Sequence, residues 1–337
     1  MTAPGQGGDT LAVRLPNWLG DAVLALRAVD ALAAARGAPR LVLLGRPWAH
    51  ALFAARWPGA RWLESPGAGG RWPLRVPELA RSRAAAIVLL PPSLSARLHA
   101  FAAGIPRRYG LGGEAGDALL THRTPRAARG QRHLEDEYLD VAGLLGAAAV
   151  PRVPLAADPR AAASVRARLE AEGAGGELLA IAPGARYGPA KRWAPERFAE
   201  VARAWLAGGS GRAAVLVGGA EDAAETQAVR AASAPGARIL DWTGRTTLPE
   251  LLALLAGATA VIANDSGVAH LAAAAGRPTV AIFGSTDPRW TAPRGPCARV
   301  VARPPACSPC FLRTCRIAER YLCLRAIAPE DALEALA

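Results

Sequence analysis

The sequence has 337 residues, of which 51% are hydrophobic and 20% charged, and its formal net charge is +12. This composition is typical of globular proteins and excludes a disordered or collagen-like chain, and the length corresponds to about two domains. The longest uncharged, mostly apolar stretch, residues 251–263, is too short to cross a bilayer, and the N-terminal residues lack the basic segment of a secretory signal. We therefore expect a cytoplasmic protein whose positive charge attracts phosphate groups on nucleic acids, nucleotide sugars or anionic lipids.

Short apolar runs bounded by Gly and Pro predict strands in the first half of the chain, and longer amphipathic segments predict helices. The predicted strands lie at 11–15, 41–44 and 86–90, and the predicted helices lie at 21–35 and 134–145. Residues 57–77 are interpreted as a loop. Because residues 151–159 contain three prolines, as a linker often does, we divide the chain into a domain at 1–150, a linker and helix at 151–177, and a domain at 178–337.

Strand and helix patterns alternate more regularly in the second half. The predicted strands lie at 178–182, 213–217, 238–240, 258–263 and 279–283, and the predicted helices lie at 160–172, 195–207, 221–232, 248–255 and 268–275. Such alternation indicates an α/β fold in which helices cover both faces of a parallel sheet. Ligands of these sheets bind at the carboxyl ends of the strands, so the candidate residues are those in the loops that lead from a strand into a helix.

Asp21 follows the first of these loops and stands where the first helix is predicted to begin. One interpretation is structural, because Asp is a favoured N-cap residue. The other is catalytic, because a carboxylate at this position can act as a general base. A helix N-terminus would lower the pKa of the carboxyl group and keep it ionised.

The loop at 183–193 contains Gly184, Gly188 and the basic pair Lys191 and Arg192, and it leads into a predicted helix. Glycines and cations before a helix N-terminus are suited to a pyrophosphate. Lys191 is the only lysine among 40 basic residues, and a compact ammonium is not replaced by a guanidinium where the geometry is tight. Lys191 is therefore a candidate phosphate ligand, and chance retention of one lysine is the alternative.

Two other loops carry polar residues at predicted strand ends. Glu221 follows two glycines and could bind ribose hydroxyl groups, or it could simply complement the dipole of the next helix from its first turn. Residues 284–288 follow the last predicted strand and are a further candidate phosphate contact.

The loop that begins at Asn264 has the largest concentration of polar groups. Asp265 follows the strand directly, and Ser266 and Gly267 lie at the start of a helix, where N–H groups are free to bind an anion. His270 lies one turn further along the helix. A single helical histidine is more often a packing residue, but four polar positions in one such loop indicate a binding site.

The sequence contains neither a phosphate-binding P-loop nor an H-E-x-x-H zinc motif. It also lacks a D-x-D triplet, so we expect phosphate charge to be met by Lys, Arg and helix termini, without a metal or a cofactor. The five cysteines are Cys297, Cys307, Cys310, Cys315 and Cys323. The last four could bind zinc, but their spacing lacks two C-x2-C pairs, and reduced thiols packed in a C-terminal subdomain are the alternative.

Four of these loops together resemble the ADP-heptose:lipopolysaccharide heptosyltransferases. They are PNWLGD (16–21), PGARYGPAKRW (183–193), GGAED (218–222) and NDSGVAHL (264–271), and the tail CSPCFLRTC (307–315) is similar to the heptosyltransferase II branch. The resemblance spans about residue 11 to the C-terminus. It implies a GT-B fold, in which two Rossmann-like domains with parallel sheets face each other across a cleft and the last helix packs back on the first domain.

The resemblance also implies the reaction, an inverting transfer of heptose from ADP-L-glycero-β-D-manno-heptose to the first heptose of heptosyl-Kdo2-lipid A. The protein would then associate peripherally with the inner leaflet of the cytoplasmic membrane. The roles implied are general base for Asp21, diphosphate binding for Lys191, ribose binding for Glu221, and phosphate and heptose binding for Asp265, Ser266, Gly267 and His270. Some family members have a hydroxyl residue where this chain has Gly184 and Ala185, so Gly184 would contribute only its main-chain N–H group.

Three alternatives remain. The chain could transfer heptose at another core position or be another GT-B sugar-nucleotide enzyme. It could also be a catalytically inactive nucleotide-sugar binder. A nucleic-acid-binding protein is suggested only by the net charge; its arginines are dispersed rather than clustered with aromatic residues, and we expect no nucleic-acid partner.

Overall fold

Two parallel β-sheets accommodate most of the apolar runs of the sequence. A computed structural model describes residues 10–65 and 72–336, and the chain divides into unit 1 (Met1–Val153) and unit 2 (Pro154–Ala337). The boundary lies within the proline-rich stretch that was interpreted as a linker. None of the described helices is both long enough and apolar enough to cross a membrane.

Unit 1 is built around one sheet. Its strands are β1 (Leu11–Arg14), β2 (Leu41–Gly45), β3 (Arg61–Glu64), β4 (Ala86–Leu89), β5 (Arg107–Leu111) and β6 (His122–Thr124). Its helices are α1 (Leu19–Arg36), α2 (Pro47–Phe53), α3 (Trp72–Arg81), α4 (Leu94–Ala102) and α5 (Leu134–Gly143). The strand order is β3-β2-β1-β4-β5-β6, with every neighbouring pair parallel. This is the strand order of a Rossmann fold, whose direction of winding reverses between β1 and β4.

The strands at the centre of this sheet were predicted correctly, because β1, β2 and β4 are continuous apolar runs that are buried along their whole length. The prediction of a loop at 57–77 is wrong, because regular structure lies near both ends of this range. It contains β3 and the beginning of α3, while residues 66–71 lie outside the described residues. The sequence Arg-Trp-Leu-Glu of β3 has exposed charges at both ends, so this edge strand has no apolar run by which to recognise it.

Unit 2 repeats the arrangement. Its strands are β7 (Leu178–Ala182), β8 (Ala213–Leu216), β9 (Ile239–Asp241), β10 (Ala260–Asn264), β11 (Thr279–Phe283) and β12 (Ala298–Ala302). Its helices are α6 (Pro159–Ala171), α7 (Pro195–Ala207), α8 (Ala223–Ala232), α9 (Leu248–Gly257), α10 (Gly267–Ala274), α11 (Pro288–Thr291), α12 (Leu322–Arg325) and α13 (Pro329–Leu336). The parallel sheet has the order β12-β11-β10-β7-β8-β9, so the winding reverses between β7 and β10.

The predicted elements of unit 2 are confirmed, most of them within two residues at each end. The buried core between the sheet and α7 includes Ile181, Trp193, Phe198, Ile262 and Ile282. The sequence pattern did not predict β12, in which only Val301 is fully buried, or the three short helices α11, α12 and α13. The resemblance implies that the last helix packs on the first domain; the packing seen for α13 is against α7, β10, β11 and β12 of its own unit.

Candidate active site

The two loops of unit 2 that are richest in polar residues follow β7 and β10, the strands between which the winding reverses. These strands are direct neighbours, with Ala182 paired to Ala263, so their carboxyl ends open at one point of the sheet edge. Open α/β sheets bind ligands at this point. The topology therefore brings together the β7–α7 loop (residues 183–193) and the β10–α10 segment (residues 264–270), which the sequence analysis selected separately.

Lys191 and Asp265 form an ion pair at this point. The distance from Lys191 Nζ to Asp265 Oδ2 is 2.5 Å, and the two side chains are only 13% and 4% exposed. The hydroxyl group of Thr286, which follows β11, donates a hydrogen bond to the same carboxylate oxygen. Lys191 Nζ also lies 4.8 Å from the centre of the Tyr187 ring. The only lysine of the chain is thus a largely buried cation that contacts Asp265 and the Tyr187 ring.

Asn264 connects the two ends of the β7–α7 loop. Its Nδ2 donates to the carbonyl oxygen of Pro183 at 2.7 Å, and its Oδ1 accepts from the N–H of Trp193 at 3.0 Å. The side chain is fully buried. The role of Asn264 is not predictable from the sequence, because nothing in the sequence shows that it lies beside residues about 70 to 80 positions earlier.

The Asp222 carboxyl group lies against Gly184. A Cβ atom at Gly184 would lie 2.2 Å from that carboxyl group, so a side chain there would require the Asp222 side chain to shift. The Gly219 N–H donates to Asp222 Oδ2 at 3.0 Å, and burial raises the pKa of this carboxyl group. Glu221, the residue selected from the sequence, is instead exposed, in a short 3-10 helix between β8 and α8.

Ser266 and Gly267 lie at the N-terminus of α10, as predicted. Ser266 is the N-cap residue, yet its side chain makes no capping hydrogen bond, and its buried Oγ has no hydrogen-bond partner in the described part of the chain. The same holds for Oγ of the buried Ser285, which follows β11. His270 is buried one turn into α10. Two buried hydroxyl groups at this edge therefore have no hydrogen-bond partner within the described part of the chain.

The cysteine-rich segment packs on the β7–α7 loop, which the sequence did not indicate. The Tyr187 hydroxyl donates to the carbonyl of Phe311 at 2.6 Å, and the Ala190 N–H donates to the carbonyl of Arg313 at 3.0 Å. Gly188 has a φ of +148°, and a Cβ there would lie 2.7 Å from the Arg313 carbonyl oxygen. The segment thus supports the loop that carries Lys191.

All five cysteines are free thiols. The N–H of Tyr321 donates to Cys315 Sγ at 3.3 Å and is the main cause of the lowered pKa of this thiol, whereas burial raises the pKa of Cys323. Within residues 10–65 and 72–336, no group of three or more His, Cys, Asp or Glu side chains is arranged to hold a metal ion. The described residues therefore give no support to the zinc interpretation of the tail.

Asp21 lies in unit 1 at the carboxyl end of β1. The interpretation of Asp21 as an N-cap residue is wrong, because α1 begins at Leu19 and its N-cap is Trp18. Asp21 is half-buried in the first turn of α1. Its charge is the second cause, after burial, of the strongly raised pKa of Tyr138, and Arg126 acts on the same phenol in the opposite direction.

Arg14, the last residue of β1, adds a buried guanidinium to this part of unit 1. Burial and the charge of Arg46 lower the pKa of Arg14 to about 10. The group is still protonated at neutral pH, so the carboxyl end of β1 combines a carboxylate at Asp21 with buried positive charge.

A family model and several known proteins match long stretches of the chain. Residues 76–320 match the model of glycosyltransferase family 9 (heptosyltransferase). The chain is 28% identical to a lipooligosaccharide heptosyltransferase 2 of Haemophilus influenzae over 300 residues, 85% of this chain and 86% of the relative. It is 30% identical to the lipopolysaccharide heptosyltransferase 2 of Escherichia coli over 225 residues, 63% of each chain.

Two solved structures are similar over almost the whole chain. The ADP-heptose lipopolysaccharide heptosyltransferase II of E. coli superposes with a TM-score of 0.77 at 26% identity and 97% coverage of both chains. A glycosyl transferase family 9 protein from Veillonella parvula superposes with a TM-score of 0.80 at 22% identity, covering 97% of this chain and 95% of that one. The α/β fold of GT-B type, with two Rossmann-like units, is thereby confirmed.

Proposed function

The chain belongs to glycosyltransferase family 9 (heptosyltransferase) and is a glycosyltransferase, and from this premise we propose its donor, acceptor and catalytic residues. The proposed reaction transfers L-glycero-D-manno-heptose from ADP-L-glycero-β-D-manno-heptose to the first heptose of the lipopolysaccharide inner core. The observation that carries the proposal is the buried Lys191–Asp265 pair at the reversal point of the unit 2 sheet. The names of the relatives, heptosyltransferase 2, support the choice of acceptor position.

The diphosphate of the donor would bind at the Lys191–Asp265 pair. An anionic phosphate competes with Asp265 for the Lys191 ammonium, and the unpartnered Ser266 hydroxyl and the N-terminus of α10 offer further donors. These groups stabilise the negative charge that develops on ADP as it leaves. Asp265, released from Lys191, becomes free to accept hydrogen bonds from heptose hydroxyl groups.

Gly184, Glu221, Gly267 and His270 complete the proposed donor site. Gly184 keeps the β7–α7 loop close to Asp222, and the N–H of Gly267 lies at the start of α10. The exposed carboxylate of Glu221 would accept hydrogen bonds from the ribose. His270, one turn into α10, would face the phosphate and heptose.

Asp21 would be the general base. In an inverting transfer, an acceptor hydroxyl attacks the anomeric carbon on the face opposite the phosphate, the new C–O bond forms, and the bond to ADP breaks through an oxocarbenium-like transition state. The hydroxyl proton passes to the Asp21 carboxylate. Asp21 lies in the first turn of α1, where the helix N-terminus favours a negatively charged side chain.

The acceptor, heptosyl-Kdo2-lipid A, is an anionic lipid, and we propose that the enzyme works in the cytoplasm, associated peripherally with the inner leaflet. The net charge of +12 supports electrostatic attraction to such a surface. The buried Arg14 and the nearby Arg126 place positive charge in the unit that carries Asp21, where an anionic acceptor would be bound.

Incubation of the purified chain with ADP-heptose and heptosyl-Kdo2-lipid A tests the proposal. We expect mass spectrometry to show the addition of one heptose, and nuclear magnetic resonance to place it on the first heptose with inverted anomeric configuration. Kdo2-lipid A without heptose serves as the comparison acceptor and should react poorly. Faster transfer to Kdo2-lipid A would refute the proposed position, and the absence of transfer to either acceptor would refute the proposed donor and acceptor.

A further inference from the structure

We propose that Asn264 is a positioning residue for donor binding, acting by fastening both ends of the β7–α7 loop. The inference rests on the proposed function, in which this loop binds the donor diphosphate. Pro183 is the first residue after β7, and Trp193 lies two residues before the start of α7. Asn264 bonds to the main chain at both positions, so a single side chain closes the whole eleven-residue loop at its base.

The contact requires a donor and an acceptor on one side chain. The Pro183 carbonyl needs a donor and the Trp193 N–H needs an acceptor, and an amide carries both groups on one planar end whatever the pH. The reversed amide orientation would set donor against donor and acceptor against acceptor, so the two main-chain partners define the orientation. Asn264 is fully buried, and loss of either hydrogen bond would leave a main-chain group without a partner and away from water.

The two hydrogen bonds that join Asn264 to Pro183 and Trp193 form a clamp. This clamp also determines where the Lys191 ammonium lies. Lys191 is two residues before Trp193, and Asp265 is the next residue after Asn264. Both members of the ion pair are therefore attached directly to the residues that Asn264 joins. If the Trp193 end of the loop moves away from β10, Lys191 moves away from Asp265 and from the bound diphosphate.

The variant Asn264→Asp makes the clamp dependent on pH. An ionised carboxylate can still accept from Trp193 N–H, but its second oxygen would face the Pro183 carbonyl oxygen and repel it. A protonated carboxyl group can donate to that carbonyl and restore both hydrogen bonds. Burial raises the pKa of a carboxyl group, which brings the protonated form into the mildly acidic range.

Other titratable groups at this edge are present in both proteins. They are Lys191 and Arg192 on the β7–α7 loop, Asp265 and His270 on the β10–α10 segment, Asp222 after β8, and Asp287 after β11. The cations oppose protonation of the new carboxyl group and the carboxylates favour it. Dividing the ADP affinity of the variant by that of the wild type at each pH removes the titration that the two proteins share.

Calorimetric titration with ADP tests the inference. We expect Asn264→Asp to bind ADP about tenfold more weakly than the wild type at about pH 8, because one buried hydrogen bond is lost, and to approach wild-type affinity at about pH 5.5. Thr259→Val is the matched control, since Thr259 links the same two strands at their amino ends by accepting from Leu178 N–H at 3.1 Å. The control should bind ADP like the wild type at both pH values. An affinity ratio for Asn264→Asp that stays near one, or that is low but independent of pH, would overturn the inference.

A measurement on the wild type covers the case in which the variant does not fold. The Trp193 amide should exchange its hydrogen slowly, because it is buried and bonded to Asn264, whereas the amide of the exposed Gly175, between α6 and β7, should exchange quickly. Equal exchange rates would show that the clamp is not formed in solution and would overturn the inference. If the wild type does not bind ADP, the proposed function fails instead, and the Trp193 amide still reports on the clamp.

Discussion

Lys191 shows how one side chain can be specified by its surroundings. Its ammonium lies against the Asp265 carboxylate and near the Tyr187 ring, and the Tyr187 hydroxyl is held by the Phe311 carbonyl. An ammonium is a compact point charge, whereas a guanidinium is planar and wider. The space defined by these contacts is therefore matched to lysine, in a chain that otherwise uses arginine.

We predict that Lys191→Arg and Lys191→Ala both lower kcat/KM for ADP-heptose, each by at least about tenfold. The alanine variant loses the cation, and the arginine variant keeps the charge but cannot place it at the same point. Arg203→Lys, at an exposed position on α7, is the control and should leave the kinetics unchanged. Wild-type kcat/KM in Lys191→Arg would show that the loop requires only positive charge.

Asp21→Asn should lower kcat by about 10²–10⁴-fold and leave ADP affinity unchanged, because the amide cannot accept the acceptor proton. Steady-state kinetics and ADP titration measure the two effects separately. Asp140→Asn, on α5 of the same unit and paired with Arg132, is the control for removal of a carboxylate charge. Retention of more than about half of the wild-type kcat would remove Asp21 from the catalytic role.

At the scale of elements, the sequence predicted those strands and helices whose local pattern is strongest. Buried parallel strands such as β7 and β11 are short runs of apolar residues, and α7 begins with a proline and ends before a glycine, so their bounds could be predicted. Edge strands such as β3 and β12 present exposed side chains and were missed. Main-chain hydrogen bonds to the neighbouring strand hold them in the sheet, and these bonds do not require a recognisable pattern of side chains.

The residues of the candidate site also fall into two groups, those that could be selected from the sequence and those that could not. Lys191 and Asp265 could be selected from the sequence because each stands in a loop between a predicted strand and a predicted helix. Asn264 and Asp222 could not be given roles, because their partners, Pro183 and Gly184, are distant in the chain. Contacts of this kind depend on strand order, which the sequence pattern does not reveal.

The loop after β5 allows a prediction about pH. Asp117 accepts hydrogen bonds from Gly113 N–H at 2.8 Å and Glu114 N–H at 3.4 Å, and it pairs with the buried Arg97 at 2.8 Å. These contacts, first among them the Gly113 N–H, lower the pKa of Asp117. Because the folded-state pKa is the lower one, the carboxylate contributes stability above the unfolded-state value of about 3.9, and this contribution is lost as the pH falls through the folded-state pKa.

Asp117→Ala should therefore lower the free energy of unfolding by about 1 kcal/mol at neutral pH. The difference from the wild type should shrink as the pH falls below about 3.9. Urea unfolding of both proteins at each pH measures it, provided that the circular dichroism transition has one step. A difference that is the same at neutral and acidic pH would mean that packing, rather than the charge of Asp117, stabilises the loop.

At the scale of the whole molecule, both units have the same strand order, and each carries its candidate residues after the strands where the winding reverses. Asp21 follows β1 in unit 1, and Lys191 and Asp265 follow β7 and β10 in unit 2. The proposed general base lies in one unit and the proposed diphosphate-binding residue in the other. This placement follows from two sheets that share one topology.

The net charge of +12 leads to a prediction about membranes. The protein should bind vesicles that contain anionic lipid at low ionic strength and be released by about 0.5 M salt, because screening shortens the range of the attraction. Co-sedimentation with anionic and with neutral vesicles measures this. Binding that persists at high salt, or that is equal on neutral vesicles, would indicate insertion of apolar residues instead.

We propose above all that the donor nucleotide binds at the carboxyl edge of the unit 2 sheet. Hydrogen exchange of the full chain, with and without saturating ADP, tests it most directly. The claim predicts slower exchange on ADP binding in residues 183–193 and 264–270, and unchanged exchange in residues 173–177, at the opposite end of β7. Protection confined to other segments, with residues 183–193 and 264–270 unaffected at saturating ADP, would contradict it.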